Sequence, residues 1–428
     1  MNNATAAATS PTDTLPNRWI VLVLLLGIAI FNQADRFLLA GLIEPVKAEF
    51  EVSDAVMGLL TGPAFAIFYS LLAIPIAIYA DRANRLKIIV AGCVVWSVFT
   101  ILSGFATGPW TLAAARVGVG VGEAAFQAPA YSIIAAYFVA ESRGKAFAIM
   151  ALAVYFGQTL GLAGGPAIAE AYGWRAAFQI YGVLGLVLIV VSWIVIQEPP
   201  RSEAPPARQP FVPLAKRLIK LASYRNMMIG MALGVLSGLA FGSWGKTLFE
   251  RSYEMGTADA GAAFGLAFAI PGMLGAMLFG ALSDQLTKTS YGRTLLLSAI
   301  GLTGATIAVI AAIWAPTLSN AILIAIPAGL LGGGWAVGIY AGLQYILPDH
   351  LRATGTAIAM LAVNLLGYAV GPWLVGELSV QFGEGTFGLQ QALTVVVPIG
   401  FVGAFLLWRG SLKLQEDRDT LAPKKSNN

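Results

Sequence analysis

Residues 161–166 read GLAGGP, and residues 367–372, 206 positions later, read GYAVGP. Each is a Gly-x-x-x-Gly pair closed by proline inside a long apolar run, and small residues at that spacing let helix backbones approach closely in a membrane. A second echo has nearly the same offset: Ala77-x-x-x-Asp81 recurs 203 positions on as Gly280-x-x-x-Asp284. Two unrelated features repeating at almost one interval indicate an internally duplicated chain.

Working outward from the echoes, apolar stretches long enough to cross a bilayer, roughly 20 residues each, recur along the chain. They are read at 19–43, 55–80, 86–106, 110–138, 145–171, 176–197, 226–250, 260–283, 293–315, 320–347, 353–380 and 388–409. The longest polar connector, 198–225, holds Pro199, Pro200, Pro205, Pro206, Pro210 and Pro213 and separates span six from span seven. The expected organisation is therefore a tail at 1–18, a six-helix bundle at 19–197, a linker at 198–225, a second six-helix bundle at 226–409 and a tail at 410–428. The fold class is an all-α membrane protein with twelve transmembrane helices in two pseudo-symmetric bundles. A β-barrel would show alternating strands of about ten residues, and these runs are too long and too continuously apolar.

Composition agrees, with 57% hydrophobic and only 11% charged residues, against about 25% charged in a soluble domain. One Cys, Cys93, and one His, His350, leave no disulfide framework, no Cys/His metal site and no Ser/His/Asp triad. A lipid-modifying membrane enzyme lacks its constellation for the same reason, no ATP-binding motif is present, and no cofactor is expected. A receptor or scaffold would not require duplicated halves.

The loop charges orient the chain. With sides alternating from Arg18, twenty of the 26 basic residues fall on one face, including Arg82, Arg85, Lys87, Arg143, Lys145, Arg201, Arg208 and Lys424. The other face has Lys47, Arg175 and Arg251 beside ten acids, among them Glu44, Glu49 and Asp54. The positive-inside rule puts both termini in the cytoplasm. The polar first sixteen residues lack a basic n-region, so the first span reads as an uncleaved helix. The net charge of +4 follows from this topology and needs no nucleic-acid partner.

Five ionisable residues remain inside the spans: Asp35, Arg36, Arg116, Glu123 and Lys246. Charge at membrane depth costs several kcal/mol and persists mainly in a bundle interior or a wet cavity. At about 1.5 Å per residue, Asp35 falls between the levels of Arg116 and Glu123. Glu123 and Asp35 are the candidate proton carriers, and Arg36 and Arg116 the candidate contacts for an anionic headgroup. A static Asp35–Arg116 ion pair locking span one to span four is the structural alternative. Glu123 is the only acid in span four, with no charge within a turn of its own helix. Lys246, four residues before Glu250, either joins the site or snorkels to the outer interface. Gln127, Tyr131, Tyr155, Trp244, Thr247 and Tyr368, with Tyr69, Gln158, Trp335, Tyr340 and Asn364, are candidate walls of an amphipathic cavity.

Over nearly its whole length the sequence resembles the major facilitator superfamily. The loop signature Gly-x-x-x-Asp-Arg-x-Gly-Arg-(Arg/Lys) is matched by Ala77, Asp81, Arg82, Arg85 and Lys87, with Ala77 and Asn84 where the family has glycines and the last basic residue displaced by one. Span four carries the family's Arg-centred pattern in Leu112, Arg116, Gly120 and Gly122, and span five carries a Gly-Pro pair like that of its antiporters. Phe31-Asn32-Gln33-Ala34-Asp35-Arg36-Phe37 and Gly120-Val121-Gly122-Glu123-Ala124 look like the spinster subfamily, whose animal members move lysophospholipids or sphingosine-1-phosphate. Short loops and tails suit a bacterial homologue in the inner membrane. The resemblance implies alternating access, a monomer, and gating by Asp81, Arg82, Arg85 and Asp284, whose bland reading is a solvated turn. The implied function is a proton-coupled transporter of a lysophospholipid or similar single-chain amphiphile; efflux of drugs or small organic anions is the alternative.

Overall fold

A computed structural model of the chain describes residues 17–200 and 211–421. The N-terminal residues, Arg201, Arg208 and the prolines between them, and Lys424 lie outside the described residues.

Eleven helices among the described residues are long and apolar enough to cross a membrane, from Arg18–Gly41 to Gly385–Leu421. The twelfth crossing is span four, which is two helices, Pro109–Glu123 and Gln127–Tyr137. The hydropathy profile runs unbroken through this point and predicts one helix. Pro129, in the first turn of the second helix, has no N–H to bond the carbonyl four residues back, at Ala125, and so suits a helix start there. Span ten breaks at the matching place, between Leu318–Gly334 and Val337–Ile346.

The repeated glycine motifs sit where helices meet. A Cβ at Gly161 would lie 2.5 Å from the Ala34 carbonyl oxygen of span one, and a Cβ at Gly371 would lie 2.8 Å from the Leu236 carbonyl oxygen of span seven. Span five therefore packs on span one as span eleven packs on span seven. Both motifs include a π-helical turn just before the proline, at Leu160–Gly164 and Asn364–Val370. Apolar side chains such as Val187, Ile194, Leu323 and Phe405 are exposed on the outside, as a lipid-facing surface requires.

Two departures lie outside the spans. Part of the linker forms a helix, Phe211–Lys220, whose Leu214 and Leu218 bury against the second bundle; its polar composition hid an amphipathic pattern. The last helix runs on to Leu421, with Leu414 buried, well past the expected end of the bundle at 409.

One end of the molecule carries both ends of the described chain; the other is here the far face. At the far face the halves are pressed together. A Cβ at Gly58 of span two would meet the Pro372 carbonyl oxygen at 2.8 Å, and one at Gly261 of span eight would meet the Leu162 carbonyl oxygen at 2.2 Å. A cavity of about 1430 Å³ separates the halves below this seal. Its wall runs from Arg36 and Phe37 to Asp81 and Arg85, so it opens toward the end that carries the chain ends.

Candidate functional site in the central cavity

The glycine run of span four builds the charged centre. A Cβ at Gly122 would lie 2.4 Å from the Trp96 backbone nitrogen of span three, and one at Gly120 would lie 2.6 Å from the Phe65 carbonyl oxygen of span two. Backbones brought this close leave Arg116 and Glu123 facing span one, a pair of helical turns apart. Two ion pairs result. Arg116 Nη1 donates to Asp35 Oδ2 at 2.8 Å, and Thr100 Oγ1 donates to Asp35 Oδ1 at 3.0 Å. Arg36 Nε donates to Glu123 Oε2 at 2.7 Å. Glu123 is thus not without a charged neighbour: its own helix supplies none, and span one supplies Arg36.

The two pairs differ in access. Asp35 and Arg116 are each 1% exposed and neither is on the cavity wall, so in this conformation Arg116 does not face a substrate. Arg36 is on the wall. Its guanidinium lies 4.4 Å from the Tyr69 ring centroid and 5.7 Å from that of Tyr368, so one cation bridges span one, span two and, across the cavity, span eleven. Such contacts contribute on the order of 0.5–2 kcal/mol each. Glu123 Oε1 and Asn32 Nδ2 are buried without a hydrogen-bond partner, and Asn32 is also on the wall.

Gln127, Tyr131, Tyr155 and Tyr368 line the cavity, with Tyr69, Gln158, Trp335, Tyr340 and Asn364. Tyr155 Oη donates across the halves to the Gly333 carbonyl at 3.2 Å. Trp244, Lys246 and Thr247 are not on the wall. Trp244 Nε1 donates to the Pro372 carbonyl at 2.9 Å within the seal, Thr247 is fully buried, and Lys246 is buried in an ion pair with Glu250, which also accepts from Thr257 Oγ1. Polarity within a span marked these three, yet Trp244 turns to span eleven, Lys246 to an acid of its own helix, and Thr247 is buried away from the cavity. At the cavity mouth Asp81 and Arg82 are exposed, as is Asp284 at the end of span eight. Arg85 Nε donates to Glu198 Oε1 at 2.8 Å and its Nη1 to Ser132 Oγ at 3.1 Å, joining spans three and four to the start of the linker that follows span six.

Sequence reasoning missed the ionic network that closes the far face. Asp54 of span two, fully buried, accepts from Arg251 Nη1 and Nη2 of span seven at 2.8 and 2.7 Å, from Lys47 Nζ at 2.7 Å and from Ser379 Oγ at 2.7 Å. Arg251 also donates to Glu44 at 2.7 Å, and Lys47 to Glu384 at 2.7 Å. All five of these charges read as loop charges in the sequence. The available signal was that Lys47 and Arg251 are two of only three bases on an acid-rich face. Nearby, outside the spans, Glu49 is held below the usual carboxylate range by hydrogen bonds from Arg175 and Trp174.

Twelve crossings around a cavity sealed at one end and open at the other define a membrane transporter. The sequence profile of the Major Facilitator Superfamily matches residues 25–372, and the chain belongs to that superfamily. An MFS-type efflux pump of Mycolicibacterium smegmatis is 30% identical over 93% of this chain and 94% of its own length. Protein spinster homolog 1 of Xenopus laevis is 28% identical over 93% of this chain and 81% of its own. A crystal structure of a bacterial homolog to the human lysosomal transporter Spinster, in an inward-facing and unoccupied conformation, superposes with a TM-score of 0.84 at 27% identity, covering 94% of this chain and 98% of that one. The same homolog type in an occupied conformation gives a TM-score of 0.83 at 27% identity.

Proposed function

We propose that this chain is a proton-coupled transporter of a lysophospholipid or similar single-chain amphiphile, working by alternating access as a monomer in a bacterial inner membrane. The observation that carries this reading is the Arg36–Glu123 pair on and just behind the wall of a largely apolar cavity. An anionic headgroup that takes Arg36 removes the counter-charge of Glu123. A buried carboxylate left without its cation sheds its charge by taking a proton, and Oε1 has no hydrogen bond to lose. Headgroup and proton therefore load together, and the loaded site carries no more net charge than the empty one. Asp35 with Arg116 sits behind this pair as a second carboxylate and takes the proton onward when the halves rock.

Both termini are cytoplasmic in this reading, so the cavity faces inward and the Asp54–Arg251 network is the closed outer gate. The bundles at 19–197 and 226–409 are the rocking units, joined by the linker at 198–225. Asp81, Arg82, Arg85 and Asp284, at the ends of spans two, three and eight, form the inner gate when that face closes. An aspartate there meets the positive end of a helix in the other half. Efflux of a drug or small organic anion is the second reading, favoured by the likeness to the efflux pump.

Proteoliposomes separate the two. Lysophosphatidylglycerol uptake should rise several-fold when a pH difference is imposed in the direction of transport, and a sugar or short organic anion should not compete. Uptake indifferent to the gradient, or competition by small anions alone, defeats the lipid reading.

A further inference from the structure

The cavity is lopsided. Among the described residues, span six contributes nothing to its wall and span three only Arg85 at its mouth. In the second half, by contrast, the wall reaches past spans seven and ten to Leu302, Ala305, Thr306 and Val309 of span nine. This side recess is bounded on one flank where Trp335 and Leu302 crowd Gly234, where a Cβ would lie 2.6 and 2.8 Å from them. At its mouth Gly238 of span seven and Gly332 of span ten also line the cavity, and a Cβ at either would meet nothing within 4 Å.

The recess offers carbon to its contents. Its hydroxyls are turned away: Thr306 Oγ1 donates to the Leu302 carbonyl of its own helix at 2.7 Å, and Ser237 Oγ donates to the Val397 carbonyl at 2.7 Å. The opposite wall offers the reverse, Arg36 and the unpartnered Nδ2 of Asn32, a side chain only 5% exposed. The two lie at similar depth, because Phe37, next to Arg36, faces Gly242, one turn from Gly238. A ligand that satisfies both walls has an acceptor-rich anionic end and an apolar end some distance from it.

We propose that the recess between spans seven and ten holds the distal part of the ligand's single alkyl chain, and that Gly238 and Gly332 set the chain length the transporter accepts. This rests on the amphiphile reading and adds to it the specificity-determining residues. The absence of a side chain at either position keeps the passage open, and a leucine there, its Cβ in free space, would extend into the mouth.

The test is displacement of a fluorescent lysolipid from the purified full-length protein by short-chain and long-chain lysophosphatidylglycerols. Wild-type affinity should rise about fourfold per added methylene, the equivalent of about 0.8 kcal/mol, until the recess is full. In Gly238→Leu and in Gly332→Leu the rise should stop earlier, so that the long-chain lipid loses at least about tenfold while the short-chain lipid binds as before. Retained short-chain binding also shows that the variant is folded. Gly144→Leu, at a position with equal free space but off the cavity wall, should leave the whole series unchanged. Equal losses for short and long chains in the mouth variants, or an unaltered length dependence, overturns the proposal. A wild-type protein that binds no lysolipid of any length overturns the amphiphile reading itself and this inference with it.

Discussion

Proteoliposomes carrying Glu123→Gln should move lysophospholipid down its own gradient and lose all stimulation by an imposed pH difference. The amide keeps the size of the side chain and can still accept from Arg36 Nε, now 2.7 Å from Glu123 Oε2, so the helices stay in place. What it cannot do is change charge. If headgroup binding at Arg36 drives protonation of Glu123, the variant behaves as permanently loaded and the gradient has nothing to act on. The expected loss is the whole of the gradient-driven component, so that the several-fold stimulation of the wild type falls to none. An undiminished response to the gradient would move proton coupling to Asp35 or elsewhere.

The second large effect is expected at the far face. Arg251→Ala removes the bidentate partner of Asp54, a carboxylate with no solvent exposure, while leaving Lys47 and Ser379 in contact. Removing one member of a buried pair costs about 3–5 kcal/mol. The low end applies because Arg251 keeps some access to solvent and Asp54 keeps other donors. About 3 kcal/mol against the conformation with this face sealed is a shift of roughly a hundredfold in the balance of states. A cysteine replacing the larger, fully buried Met57, next to Gly58 in span two, adds no volume to the seal and should then react with a membrane-impermeant thiol reagent far faster in the Arg251→Ala background. An unchanged rate would mean that helix packing at Gly58 and at Gly376 of span eleven, where a Cβ would collide with the Asp54 carbonyl oxygen, and not the ionic network, keeps the face shut.

The spans were legible because apolar runs of this length have no other use, and the charged residues within them were legible because each breaks the run. Asp35, Arg36, Arg116 and Glu123 stood out for that reason, though their pairing was open: Arg36–Glu123 joins residues 87 positions apart, a distance the chain profile does not encode. The Asp54 network was less visible because its members occupy loops and helix ends, where charge is ordinary, and become unusual only when two halves of the chain bury them together. Trp244 and Thr247 illustrate the opposite error, since polarity within a helix says nothing about which neighbour it faces. The break in span four was hidden by continuous hydropathy, with Pro129 as the overlooked signal. The recess left no trace in the sequence, because glycines and alanines at its mouth and end carry neither charge nor polarity.

The central claim is that a proton and an amphiphile share one loading step at Arg36 and Glu123. The most direct measurement is of proton movement itself, with a pH-sensitive dye inside proteoliposomes, when lysophosphatidylglycerol is added outside in the absence of any imposed gradient. The account predicts acidification of the interior in step with lysolipid entry and absent in Glu123→Gln. Lysolipid entry with no change in internal pH, or with protons moving the other way, would contradict it.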